Sequence, residues 1–146
     1  MNRLIYITLF FSRLLSGCSH EKPNSTDFIG LWKGSDSAVI IIKYDGTFIG
    51  KHLPFQIFFE HPTKDTLPKQ FDGSGKWSYK REENFSKKQH FELNLEFKNI
   101  SYTGYSGLNT QIMVRGENGF WDNKPPWYLF LWVSEEGGDT YNFYKQ

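Results

Sequence analysis

The 146-residue chain has one cysteine, Cys18, and so cannot form an internal disulfide. It has no uninterrupted apolar run of the roughly 20 residues needed for a membrane-spanning helix. It also lacks an excess of charge of one sign, with 17 basic against 16 acidic residues. That balance excludes the basic footprint of a nucleic-acid-binding domain and the polybasic patch that recognises anionic lipid, so no nucleic-acid partner is expected. There is no GxSxG elbow, no phosphate-binding glycine-rich loop, no dinucleotide fingerprint and no HExxH pattern. No cofactor or metal is expected, and no long helical period is visible in the sequence after residue 18.

What is present begins with the leader MNRLIYITLFFSRLLSGC. Arg3 supplies a positive start, and Leu4 to Phe11 form an apolar run of the length of a secretory h-region. Ser16 and Gly17 are the small residues a signal peptidase accepts. Exported domains ordinarily pair their cysteines, so a single thiol directly after this leader calls for another use. The stretch LSGC, Leu15 to Cys18, resembles the lipobox of bacterial lipoproteins, although Arg13 interrupts the apolar stretch before it. The resemblance implies a diacylglycerol on the Cys18 sulfur, cleavage before that residue, and acylation of the new amino terminus. Several acyl chains form a firm anchor at about 0.8 kcal/mol per buried methylene. In enteric members of that family, Ser19 in place of Asp implies the outer membrane. The expected address is the bacterial cell envelope, lipid-anchored, either at the outer membrane facing the periplasm or at the cell surface.

On this reading residues 1–17 are the signal peptide, 18–27 a lipidated tether and 28–146 one domain. Loss of Arg3 and Arg13 with the leader leaves 15 basic against 16 acidic residues in a mature chain of 129. The polar stretch SHEKPNSTD, with one proline, reads as a short spacer. Asn24, Asn84 and Asn99 head glycosylation sequons, which matter only in a eukaryotic secreted protein.

The domain reads as strands. FIGLWKG places Trp32 inward. SAVIIIKY and TFIGKHL flank Asp45-Gly46, a pair that supplies the positive φ a tight hairpin needs. GSGKWSYK sets Trp77 and Tyr79 on one face. HFELNLEF alternates, with Phe91, Leu93, Leu95 and Phe97 inward and Glu92, Asn94 and Glu96 outward. NTQIMVRG, PWYLFLWV and DTYNFYK complete eight. The expected fold is all-β: a small antiparallel barrel of about eight strands, with a β-sandwich as the alternative. The large inward side chains favour a filled interior. The order GLW, DG hairpin, GKW, and a closing YNFYKQ is similar to lipocalin-like small bacterial lipoproteins. DGTF, GSGKW, VRG and the WYLFLWV to YNFYK ending resemble an uncharacterised family of small exported bacterial proteins. Unlike many lipocalins, this chain has no second cysteine to pair.

Aromatic residues make up 18% of the chain, and they serve as core, cavity lining or interface anchors. ENGFWDNKPP, Glu117 to Pro126, places Phe120, Trp121 and the following Trp127 beside prolines, either as core or as an interface. Pro54 to Gly73 exceeds an ordinary loop. It is either a short helix lidding one barrel end through Phe55, Ile57, Phe58 and Phe59, or a recognition loop. Glu60 and His61 lie within it, with Asp65 near; they are the candidates for an acid–base or weak metal site, or else a solvated charged loop. Arg115 sits in an apolar strand: inward it needs an acid or an anionic ligand, outward it is a surface residue. The alternation places it outward, with Met113.

The function expected is a membrane-anchored, non-catalytic binding module for a small apolar or amphiphilic ligand or a protein partner, as a monomer. One alternative is an immunity or inhibitor protein that blocks an envelope-acting toxin or enzyme. Another is a hydrolase built on His61.

Overall fold

A computed structural model describes residues 22–59, 67–83, 89–102, 105, 107–118, 124–133 and 138–146. For 81–83, 89, 90 and 118 only the backbone is described. The eight expected strands are all there: β1 (Gly30–Gly34), β2 (Val39–Ile42), β3 (Thr47–Pro54), β4 (Gln70–Glu83), β5 (Gln89–Ile100), β6 (Leu108–Asn118), β7 (Lys124–Trp132) and β8 (Thr140–Lys145). Each pairs antiparallel with the next, and β8 pairs back onto β1, so the sheet closes into a barrel in chain order. Closure leaves no free sheet edge. Among the described residues no helix is long and apolar enough to cross a membrane.

Alternation decides which side chains meet inside. Trp32, Ile40, Phe48, Leu93, Leu95, Phe97, Ile112, Leu129 and Phe143 are at most 1% exposed. The rings lock by edge-to-face contacts: Phe48 on Phe97 at 4.8 Å between centroids and Phe58 on Phe97 at 6.0 Å. Phe71 also packs on Phe97, at 5.6 Å. The filled interior expected from the large inward residues is the one observed. Trp77 and Tyr79 share that inward side but are only partly buried, against the rim of the core.

The two ends of the barrel are closed differently. At one end α1 (Phe55–Phe58) follows β3 directly. Phe55, Phe58 and Phe59 are buried, and Phe55 stacks on Phe59 at 4.1 Å. The described part of the long segment after Pro54 is thus an aromatic lid. At the opposite end, where β1 starts and β8 finishes, a 3-10 turn (Ser25–Phe28) acts as a plug. Phe28 is fully buried there, and its carbonyl accepts the Trp32 indole N–H at 2.7 Å. Phe28 therefore belongs to this plug rather than to the first strand. Asn24 caps the turn, and Asp27 returns a bond to the Asn24 N–H at 2.8 Å. Tyr79 Oη donates to the Pro23 carbonyl at 2.9 Å. From the buried Pro23 onward, the stretch read as a spacer is packed on the barrel.

The β2–β3 hairpin differs from the expected two-residue turn. Only Gly46 takes positive φ, at 80°, and Asp45 does not. Tyr44 and Asp45 form the turn, Gly46 N–H donates to the Lys43 carbonyl at 3.3 Å, and Lys43 pairs with Thr47. This is the three-residue loop with a left-handed glycine, the next most common hairpin solution. The Asp45 carboxylate accepts from both the N–H and the hydroxyl of Thr47, and these bonds, side chain first, lower its pKa. Near the lid, the register slips between Gly50 and Leu53, where His52 adopts φ 50°. Asp72 clamps this bulge by accepting from Lys51 Nζ at 2.8 Å and from His52 N–H at 2.9 Å.

Candidate functional site: an aromatic outer face

The last three strands carry unusual outward residues. Along β7 the inward set is Trp127, Leu129 and Leu131, all buried. The outward set is Tyr128, Phe130 and Trp132, three aromatic rings in a row. On β8, Phe143 and Tyr141 face in, and Thr140, Asn142 and Tyr144 face out. On β6, Ile112 and Val114 face in, and Met113 and Arg115 face out, as the alternation requires. Register then assembles the outer face: Arg115 lies beside Tyr128 and Tyr128 beside Tyr144, while Met113 lies beside Phe130 and Phe130 beside Asn142.

The rings touch. Tyr128 and Tyr144 are stacked at 5.8 Å, Tyr128 and Phe130 lie 5.9 Å apart, and Trp132 meets Phe130 edge-on at 5.5 Å. The Arg115 guanidinium carbon stands 4.9 Å over the Phe130 ring. Phe130 is consequently only 3% exposed although it lies outside the interior core. Its neighbours stay open: Trp132 is 50%, Val133 51% and Tyr144 44% exposed. Beyond β6, the outward residues are Glu92, Asn94 and Glu96 on the adjoining β5 and Lys76, Ser78 and Lys80 on β4. The β4–β5 side of the outer surface is therefore charged and the β6–β8 side aromatic.

Two polar groups in the aromatic face lack ordinary partners. Among the described residues Arg115 forms no ion pair, and its guanidinium rests on a ring. Asn142 Oδ1 is buried under the rings with no hydrogen bond, while its Nδ2 reaches Tyr144 Oη at 3.5 Å. Buried polar atoms are nearly always bonded. A surface shaped only for stability would seldom retain such a group beside exposed rings.

Of the residues singled out in the sequence, Arg115 is in this face. Trp127 is one position from it in register but points inward, where it forms a wall of an open groove at the plugged end. Phe120, Trp121, Glu60, His61 and Cys18 lie outside the described residues. The sequence reading missed Tyr128, Phe130, Trp132 and Tyr144. The signal was there in WYLFLWV and YNFYK, where both alternating sets are apolar or aromatic. Among the described residues no group of three or more His, Cys, Asp or Glu side chains is arranged to hold a metal. The displaced pKa values belong to separate places: Asp45 and Asp72 in their turns, and Tyr141 inside the barrel, where burial raises it.

These features define an eight-stranded, up-and-down antiparallel β-barrel with a packed interior and an aromatic outer face. Comparison of the chain with protein-family models, curated proteins and solved structures finds no match.

Proposed function

We propose that this chain is a lipid-anchored envelope protein of the lipocalin-like barrel kind that binds a protein partner through the outer face of β6, β7 and β8 and performs no chemistry of its own. The observation that carries this reading is the contiguous set Arg115, Tyr128, Phe130, Trp132 and Tyr144. Trp, Tyr and Arg dominate the energetics of protein interfaces because they supply large contact area at little entropy cost. A small apolar ligand is less well served, since the described barrel interior is occupied by its own side chains.

The charge of Arg115 specifies the partner further. Docking would strip water from the guanidinium, and an unpaired buried charge costs several kcal/mol. The partner therefore presents a carboxylate toward Arg115 from within an otherwise apolar surface. An envelope-acting toxin or enzyme blocked by this protein is one partner of that description.

The test places a photoreactive phenylalanine analogue at position 132 or 144 in cells producing the native protein. The crosslinked partner is identified, purified and titrated against the wild-type chain and its variants. Trp132→Ala weakens binding by about 30-fold or more, the scale of a hot spot of about 2 kcal/mol. Arg115→Glu abolishes binding until the facing acid is reversed to Lys. Equal crosslinking from Ser78 and Asn94 on the charged side, or an unchanged Kd for Trp132→Ala, would remove the proposal.

A further inference from the structure

The plugged end of the barrel carries an open groove of about 470 Å³. Pro125, Pro126 and Trp127 form one wall, Trp32 lies at its base, and Lys22 and Lys145 supply two ammonium groups. Lys145 Nζ donates to the Asp27 carbonyl oxygen at 2.6 Å and stands 5.7 Å over the Trp32 ring, and among the described residues it forms no ion pair. Asp27 is the acid of the lining, and its carboxylate is engaged by the Asn24 N–H. The groove thus pairs cationic groups with an aromatic and proline wall, the combination that suits an anionic amphiphile.

Its position selects among anionic amphiphiles. Three residues separate Cys18 from Lys22, and the four extended steps between them span at most about 14 Å. A chain lipidated at Cys18 therefore holds Lys22, and the groove with it, close against the headgroup layer. The β2–β3 turn lies at the same end of the barrel, where β1 begins. It carries the exposed Lys43 and Tyr44, the latter 85% exposed. Tyrosine and lysine are the residues that settle at a membrane interface. We infer that the barrel stands end-on upon the membrane, with an anionic phospholipid headgroup seated in this groove: its phosphate between Lys22 and Lys145 and its glycerol against Pro125, Pro126 and Trp127. The aromatic lid then points away from the bilayer, and the outer face of β6 to β8 stands upright beside it, open to a partner. The inference rests on the lipid-anchor reading and is independent of the protein partner.

The experiment uses the protein purified from its native membrane. Intact mass is recorded first, and hydrogen exchange is then followed in vesicles of phosphatidylcholine alone and of phosphatidylcholine with 30% phosphatidylglycerol. The expected result is an acylated mass with slower exchange at residues 43–46 and at the Lys124 and Trp127 amides in the anionic vesicles. Lys22→Glu combined with Lys145→Gln removes that difference; the glutamine keeps a donor for the Asp27 carbonyl, and an unchanged melting temperature checks the fold. Each lysine near an anionic surface contributes roughly fivefold in binding, so the pair contributes roughly 25-fold. An acylated protein with identical exchange in both vesicles overturns the groove inference and leaves the anchor standing. An unmodified mass overturns the anchor and the end-on placement with it. Protection by inorganic phosphate in detergent equal to that in anionic vesicles makes free phosphate the ligand and overturns the lipid assignment.

Discussion

Phe97 and Asp72 illustrate two kinds of residue-scale contribution. Phe97 meets Phe48, Phe58 and Phe71 and is 1% exposed, so its removal leaves a cavity that three rings cannot collapse to fill. Phe97→Ala is expected to cost about 3–5 kcal/mol, read as a lower urea midpoint. Asp72 acts through charge instead. Its pKa is held below the ordinary aspartate value of 3.8, first because Lys51 donates to it and next because the His52 N–H does. A folded pKa below the unfolded one means stability present above about pH 4 and lost as pH falls through the folded value. Asp72→Asn should therefore be less stable than the wild type at neutral pH, and the gap should close as the pH falls below 3.8. A gap that stays constant down to acid pH would place the effect in packing rather than ionisation.

Among the elements, the hairpins divide glycine's work in two. At Gly46 the φ of 80° is the constraint, and an added Cβ would meet nothing within 4 Å. Gly46→Ala therefore carries backbone strain alone, about 1–2 kcal/mol, and should lower the melting temperature by several degrees without altering the fold. At Gly75 the φ is ordinary and space is the constraint, since a Cβ would run into the Glu96 carbonyl where β4 slips register against β5. The eight strands were legible from the sequence because alternation and turn residues are local signals. The spacer was harder to read. Asn24 to Phe28 has no strand or helix period, and it is ordered by contacts with residues far along the chain: Lys145 on the Asp27 carbonyl, and the Phe28 ring against Tyr79 at 5.2 Å.

For the whole molecule, strand direction sorts the surfaces. The plug, the groove and the β2–β3 turn share one end, α1 closes the other, and the aromatic face occupies the side wall between them. The proposed anchor at the plugged end and the proposed partner on the wall are therefore compatible, and loss of one should leave the other intact. Variants at Trp132 should retain lipid-dependent protection of residues 43–46, and the Lys22 and Lys145 variant should retain partner affinity measured in solution.

Periodicity in this chain determined the strand count, the inward sets, the outward direction of Arg115 and the filling of the interior, because each depends only on residues close in sequence. The proposed lipid anchor at Cys18 likewise rests on local order alone. The aromatic face was decided by tertiary structure. Tyr128, Phe130, Trp132, Tyr144 and Arg115 come from three strands, and only barrel register brings them side by side. In WYLFLWV both faces of the strand are apolar, so alternation cannot say which one is core; closure of the barrel chooses Trp127, Leu129 and Leu131 and leaves the other rings outside. The groove has the same origin. Lys22 and Lys145 are at opposite ends of the described chain, and they line one groove because β8 closes on β1.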